Sequence, residues 1–318
     1  MGAHRFGPEH PAETYVPHAF PEQTIDTGDA VINYAVAGTS DKPALLLIPG
    51  QTESWWGYEQ AMDLLKEHFQ AFAVDLRGQG RSSRTPGRYT LDNFGNDLVR
   101  FIALAIRRPV LVSGLSSGGV IAAWLSAYAM PGTVRGAHYE DPPLFSSAVN
   151  PSCGHSIRQA IGPIFGLMSK YLGDQWSIGD WSGMIEAAKT ELPDWLRPVT
   201  APMLGAGEIP QRMKEYDPEW ARAFWEGTVY AGSDHARMLA RVKCPVLYTH
   251  HFRHVDEARG YLLGAASDEQ AKRVCELVKS TGQTIDYRSF PRMPHSMHGT
   301  DPKQFVELLV EFNAKLRG

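Results

Sequence analysis

An apolar, β-branched run at Val110-Leu111-Val112 passes through Ser113-Gly114-Leu115 into the small cluster Ser116-Ser117-Gly118-Gly119. It re-emerges at once as the helical pattern Val120-Ile121-Ala122-Ala123-Trp124-Leu125. The first half has the character of a strand buried on both faces. Between the two halves, Gly114-Leu115-Ser116-Ser117-Gly118 reads G-x-S-x-G in the strand–turn–helix context that a nucleophile elbow requires. The glycines two before and two after Ser116 let neighbouring backbone approach a residue held in a strained turn. That strain lifts the hydroxyl out of the sheet, with a helix N-terminus just behind it. Five-residue patterns also arise by chance in ordinary strand-to-helix turns, so the rest of the chain must supply a base, an acid and an oxyanion site.

The flanking sequence repeats the same rhythm. Ile32 to Gly38 is strand-like, Ala44-Leu45-Leu46-Leu47-Ile48 is continuously apolar, and Ala71-Phe72-Ala73-Val74 is another buried strand. Leu91, Phe94, Leu98, Phe101, Ile102 and Ala105 step at helical spacing and predict an amphipathic helix over 90–107. A short strand follows at Val134–Tyr139. Strand and helix in alternation imply a parallel sheet covered on both faces. From Leu144 to about Ala236 the strand runs vanish and aromatic residues crowd in, among them Trp176, Trp181, Trp195, Tyr216, Trp220, Trp225 and Tyr230. This predicts a helical cap over 144–236, set into an α/β core of residues 21–143 and 237–318, with residues 1–20 as an N-terminal arm. Most of the cap aromatics serve its own packing, and a few line a pocket for an apolar substrate. The α/β rhythm returns with a strand at Pro245–Thr249, a helix at Asp268–Ser280 and a last strand at Ile285–Phe290. In the closing helix, Asp301 is the N-cap and Pro302 sits in the first turn.

Composition excludes several classes. The net charge of −4 argues against a nucleic-acid surface. Cys153, Cys244 and Cys275 are too few and too scattered for a disulfide framework or a structural zinc site. No stretch has the length of a membrane span, and Met1-Gly2-Ala3-His4-Arg5 leads into polar sequence without an apolar signal region. A cytoplasmic enzyme with a small-molecule substrate is the expectation, with a homodimer as the commonest oligomeric arrangement. No phosphate or dinucleotide loop occurs in a strand–helix context. His250, His251 and His254 lack a carboxylate–histidine metal pattern, so neither cofactor nor metal is expected.

A serine hydroxyl needs a base. The loop after the last strand, Phe290-Pro291-Arg292-Met293-Pro294-His295-Ser296-Met297-His298, offers two histidines. His295 is the candidate base, and His298 its structural neighbour. The base in turn needs a carboxylate, and two loops could supply it. Glu140 and Asp141 follow the strand before the cap; Asp256 lies in the His-rich loop after the strand that follows it. Glu140, at the carboxyl end of a strand, is favoured, with Asp141 and Asp256 as alternatives. The oxyanion donors fall by position on the N–H groups of Ser117 and Gln51. Gly50 and Trp55 beside them, with Trp220 and Trp225 from the cap, are candidate substrate contacts.

Pro49-Gly50-Gln51, Asp75-Leu76-Arg77-Gly78-Gln79-Gly80-Arg81-Ser82, the elbow at Ser116 and His295, in that order, resemble the α/β-hydrolase superfamily with a cap. The resemblance implies a mostly parallel eight-stranded sheet with helices on both faces and the cap inserted after strand 6. Within it, Gln51–Trp56, Leu91–Ile102, Gly173–Trp181 and Lys214–Trp220 are similar to zearalenone hydrolases, which open the lactone of a resorcylic macrolide. That similarity implies a triad acid after the strand before the cap, in favour of Glu140. Related haloalkane dehalogenases carry Asp at the nucleophile position, which Ser116 does not match. The expectation is a serine lactonase. A carboxylesterase or C–C bond hydrolase with the same triad is the alternative, and a lactone receptor on the same fold ranks behind both.

Overall fold

Alternation along the central strands sorts their apolar side chains into two cores. The computed structural model describes residues 4–5, 16–173, 177–196 and 209–316. Its main sheet contains β1 (Glu22–Asp26), β2 (Val31–Ala37), β3 (Ala44–Ile48), β4 (Gln70–Val74), β5 (Val110–Leu115), β6 (Val134–Glu140), β7 (Val246–His250) and β8 (Ile285–Ser289). The spatial order of this eight-stranded sheet is β1-β2-β4-β3-β5-β6-β7-β8. Strands β3 to β8 run parallel, and β1 and β2 form an antiparallel edge. The principal helices are α1 (Glu59–Leu65), α2 (Leu91–Phe101), α3 (Ser117–Tyr128), α4 (Arg158–Tyr171), α5 (Trp181–Glu191), α6 (Pro218–Glu226), α7 (Asp268–Ser280) and α8 (Pro302–Lys315).

Ala44, Leu46 and Ile48 of β3, with Val110 and Val112 of β5, pack on one face against α2, α3 and α7. Leu45, Leu47 and Leu111 pack on the other against α1 and α8. Because both faces are covered, these strands carry no polar alternation, which is why they stand out in the sequence. The registers Ile48↔Gly114, Leu115↔Glu140, Glu140↔Thr249 and Ser289↔His250 bring four strand ends and their following loops side by side. Sites in open α/β sheets are built at this carboxyl edge.

Local signals account for several boundaries. Asp301 caps α8 by accepting from the Gln304 N–H, with Pro302 in the first turn. Ser267 and Gln270 form a capping box that starts α7. The helix expected over 90–107 is α-helical only to Phe101. It widens into a π turn over Ile102–Ile106 and stops at Arg107, which takes a left-handed conformation. The edge strand β1 escaped the periodicity reading because Glu-Gln-Thr-Ile-Asp has only one apolar residue and a mostly exposed pattern. The His-rich loop after β7 is also more ordered than its composition suggests: Arg253–Asp256 pairs antiparallel with Tyr261–Gly264.

Between β6 and β7 the described residues add no strand to the main sheet. Helices α4, α5 and α6 sit there, with Phe165 on Phe224 at 4.6 Å. Trp181, Met184, Trp220 and Phe224 share one continuous core with the α2/α3 face of the sheet. Trp195 stacks on Tyr261 at 4.5 Å, and Trp176 lies outside the described residues. Of residues 1–20, His4 and Arg5 pair with the cap strand Ser177–Gly179, and His18 stacks over Trp56.

Helices α2 and α3 come close at Gly95, where an added Cβ would lie 2.2 Å from the Trp124 ring. That ring is held by its own bond from Nε1 to Asp92. Gly95→Ala is therefore expected to lower stability by about 1–3 kcal/mol in chemical denaturation, despite the helix-propensity advantage of alanine. An unchanged or raised stability would contradict this packing.

Candidate active site

Ser116 follows β5 directly and precedes the first turn of α3. Its backbone sits at φ 55°, ψ −120°, a conformation that costs a side-chain-bearing residue about 1–3 kcal/mol. Close packing enforces it. A Cβ on Gly114 would lie 2.1 Å from the Gly118 carbonyl oxygen, and one on Gly118 2.3 Å from the Ile48 carbonyl oxygen. The Ser116 N–H donates to the Glu140 carbonyl at 2.8 Å, tying the elbow to the end of β6. Gly50 abuts Ser116: a Cβ there would stand 3.4 Å from the Ser116 Cβ. The Ser117 N–H, at the start of α3, belongs to the first turn, whose donors have no partner within the helix.

The loop after β8 and the end of β6 make two histidine–carboxylate pairs. Asp141 Oδ2 accepts from His295 Nδ1 at 2.7 Å, and Asp141 Oδ1 accepts from the His251 N–H at 2.9 Å. Asp141 is buried, whereas the His295 side chain is 49% exposed. Among the described residues, Nε2 of His295 has no hydrogen-bond partner. Glu140, fully buried, accepts from the backbone N–H groups of Met297 and His298 at 2.7 and 3.1 Å. It also accepts from His298 Nδ1 at 3.0 Å. His298 is enclosed between Tyr58, stacked at 3.9 Å, and Phe305.

The expected Glu140–His295 pair is thus replaced by two others, with the alternative acid Asp141 on His295 and Glu140 on His298. The cause is local. Glu140 is the last residue of the extended strand, and its longer side chain reaches the Met297–Thr300 turn. Asp141 lies one residue past the strand with a left-handed φ of 42°, which turns it toward His251 and His295. Spacing along the chain cannot distinguish adjacent carboxylates whose backbone directions differ in this way. Asp256 is on the Arg253–Asp256 ribbon, paired with Arg259 at 2.6 Å, and meets neither histidine.

Electrostatics follow from these contacts. Burial alone would raise the Glu140 carboxyl, but the charge and hydrogen bond of His298 override it and bring it down to about 2. Burial pulls both histidines downward, and their carboxylates more than compensate: His298 is raised by Glu140, and His295 by the hydrogen bond and charge of Asp141. His250 and His251 spend both ring nitrogens on Tyr287, the Ala266 carbonyl, the Pro294 and His295 carbonyls and Thr249. His251 therefore braces the backbone of the His295 loop. Among the described residues no group of His, Cys, Asp and Glu is arranged to hold a metal ion.

The loop after β3 is similarly braced. The Gly50 N–H donates to Glu53 Oε2 at 3.2 Å, Gln79 Nε2 donates to the Gly50 carbonyl at 2.9 Å, and Gln51 Nε2 donates to the Tyr216 hydroxyl at 2.6 Å. Glu53 Oε2 is also 4.0 Å from His298 Nε2. Sequence reasoning missed Glu53, for which a carboxylate three residues after the glycine was the available signal. Trp55, expected to contact substrate, is fully buried in the α1/α8 core and donates from Nε1 to Glu22. Trp220 is buried against Phe94 at 4.5 Å, and its indole N–H has no partner among the described residues. Trp225 is 46% exposed and packs over Gly162 and Gly166 of α4. Five residues on from Trp220, it points about 140° away around the helix.

The Glu140 anchor has a pH signature. A carboxyl held near 2 in the fold stabilises it above the ordinary 4.5, and that contribution is lost as pH falls toward 2. A histidine raised above 6.5 contributes below 6.5 and loses its contribution as pH rises through the raised value. Glu140→Gln is therefore expected to cost up to about 3 kcal/mol in urea unfolding. The difference from wild type should be widest between pH 4.5 and 6.5 and should narrow on both sides. A gap independent of pH would contradict the paired assignment.

The chain is 28% identical over 109 residues to the 3-oxoadipate enol-lactonase 2 of Acinetobacter baylyi, covering 34% of this chain and 40% of that protein. The shares covered of the AB hydrolase superfamily protein YfhM of Bacillus subtilis and of the mouse epoxide hydrolase 4 are 39% and 28%, so the chain spans two-fifths or less of these relatives. A longer match, 24% identical, links 91% of the chain to 98% of the bifunctional esterase/perhydrolase DCH of Acinetobacter calcoaceticus. The enol-lactonase structure from Burkholderia xenovorans LB400 superposes with a TM-score of 0.66 at 14% identity, over 92% of this chain and all of that one. At that identity the likeness is one of fold. The sequence model described as the alpha/beta hydrolase family matches residues 45–308, and the chain belongs to that family.

Proposed function

We propose that the protein is a serine hydrolase of carboxylic esters, with Ser116 as nucleophile, His295 as general base and Asp141 as the carboxylate that orients it. The observation that carries this reading is the 2.7 Å bond from His295 Nδ1 to the buried Asp141. That bond fixes one ring nitrogen and leaves the other open at the sheet edge where the strained Ser116 sits. A base must be held in one tautomer on one side and be free on the other, and His298, enclosed by Tyr58 and Phe305, lacks that freedom. Glu140 then serves the loop rather than the imidazole: it holds the Met297–His298 backbone and so the position of His295.

In this mechanism Ser116 Oγ attacks the ester carbonyl while His295 Nε2 takes its proton. The N–H groups of Ser117 and Gln51 hold the oxyanion of the tetrahedral intermediate. Collapse expels the alkoxide, which takes the proton back from His295. A water, deprotonated by the same imidazole, then releases the acid and regenerates Ser116. In a lactone the leaving hydroxyl stays tethered to the acyl group, so the product is one hydroxy acid.

The finer reading is a lactone, and among lactones a resorcylic macrolide such as zearalenone. It rests on the similarity of Gln51–Trp56 and Lys214–Trp220 to zearalenone hydrolases. The enol-lactonase relative favours a ring ester generally, and the esterase/perhydrolase relative favours an open-chain ester. The unpartnered indole N–H of Trp220 is the proposed donor to a substrate oxygen.

Turnover of zearalenone, followed as appearance of the ring-opened acid, is expected in the wild type and should fall by on the order of 10⁶ in Ser116→Ala. Persistence of zearalenone alongside Ser116-dependent cleavage of p-nitrophenyl esters would replace the lactone by an open-chain ester. Turnover that survives Ser116→Ala would overturn the serine mechanism.

The base must be neutral to act, and Asp141 raises it. The alkaline-rising limb of kcat/KM should therefore have its midpoint above 6.5. Asp141→Asn should move that midpoint down and lower kcat by roughly 10²–10⁴. Glu140→Gln, assayed below its unfolding temperature, should move the limb less. The reverse ranking would return the triad acid to Glu140.

A further inference from the structure

We propose that Tyr216 is a positioning residue of the oxyanion hole, acting through the Gln51 side chain. This inference rests on the reading of the Gln51 N–H as an oxyanion donor. Gln51 Nε2 donates to the Tyr216 hydroxyl at 2.6 Å and lies 3.4 Å from the Trp220 carbonyl. Both contacts come from the cap, 165 and 169 residues away in sequence. The Gln51 side chain is thereby tied to the cap, while Glu53 and Gln79 hold the neighbouring Gly50 by its N–H and its carbonyl. A backbone N–H has no rotamer of its own. Its direction is that of its loop, so a part-buried hydrogen bond to the side chain of the same residue is the available means of aiming it.

Tyr216 can serve as a fixed point because the residues on either side of it are themselves tied to the core. Glu215 is buried and accepts from Ser54 Oγ and Trp56 Nε1, the latter at 2.9 Å, both in the same β3 loop. Asp217 is fully buried, donates its N–H to the Gly78 carbonyl at 2.8 Å and accepts from Tyr89 and Arg84. It also caps α6 by accepting from the Glu219 N–H. Three consecutive residues thus lock the start of α6 to the loops after β3 and β4. The ring of Tyr216 lies on Trp220, with centroids 5.9 Å apart. The helix that carries the proposed substrate donor and the loop that carries the proposed oxyanion donor consequently move as one body. Substrate engagement at Trp220 and charge stabilisation at Gln51 are mechanically coupled through this hydroxyl.

The test is a double-mutant cycle of Tyr216→Phe and Gln51→Ala on a chromogenic ester, with arylboronic acid affinity measured in parallel. The boronate accepts Ser116 Oγ and mimics the tetrahedral oxyanion, so it reads the hole rather than the general integrity of the fold. Tyr216→Phe keeps the ring packed on Trp220 and removes only the acceptor. It should lower kcat and weaken boronate binding by about tenfold each, with KM within about threefold. That is smaller than the 10²–10³ expected for losing an oxyanion donor itself. The double variant should be no worse than Gln51→Ala alone. Unchanged kcat and boronate affinity in Tyr216→Phe, or effects that multiply in the double variant, would overturn the assignment while Ser116-dependent hydrolysis stands. Hydrolysis retained by Ser116→Ala would overturn the underlying reading, and this inference with it.

Discussion

The contact on which the active-site end depends is the approach of the α3 N-terminus to the end of β3, at Gly118 against the Ile48 carbonyl. With no Cβ at Gly114 or Gly118, β3, β5 and the first turn of α3 close on one another to distances that any side chain would block. Ser116 is caught between them in a backbone conformation it would not choose. The strain of about 1–3 kcal/mol is carried by two buried strands, β3 and β5, whose packing on both faces leaves no room to relax. The same closure sets Gly50 beside Ser116, the proposed nucleophile, and leaves the first N–H groups of α3 at the proposed oxyanion position.

The second constraint is the division of labour between adjacent acids. Each buried carboxylate divides its oxygens between backbone N–H groups and one histidine ring, so the two histidines of the loop after β8 are held by two different acids. Here Glu140 spends its oxygens on the Met297 and His298 N–H groups and on the His298 ring. Asp141 spends its own on the His251 N–H and the His295 ring. The two arrangements are interlocked, since the His251 ring also holds the carbonyls of Pro294 and His295. A buried ion pair contributes modestly to net stability but strongly penalises its own disruption. It therefore serves to define one loop position, which is the requirement for a base.

Much of this was legible in the chain. The elbow, the central strands and the start of α8 are written in local patterns: glycines at fixed offsets, continuous apolar runs, and Asp301 before Pro302. Features decided by direction rather than spacing were not legible. Glu140 and Asp141 are neighbours in sequence, yet a left-handed φ at Asp141 sends their side chains to different histidines. Trp55 and Trp225 carry the same indole as Trp220, but one packs in the α1/α8 core and the other is turned to the outside of α6. Only tertiary packing separates them. The cap's attachment through Glu215, Tyr216 and Asp217 was equally hidden, because its partners lie more than a hundred residues away.

The central claim is that a single serine is activated through His295 by Asp141. Intact-mass kinetics with a fluorophosphonate address it most directly, since that reagent reads nucleophile activation without requiring the natural substrate. The account expects one adduct, mapped to Ser116. Its rate of formation should rise with pH through a midpoint above 6.5 and should drop far more in Asp141→Asn than in folded Glu140→Gln. Labelling at another residue, or a rate indifferent to Asp141, would contradict it.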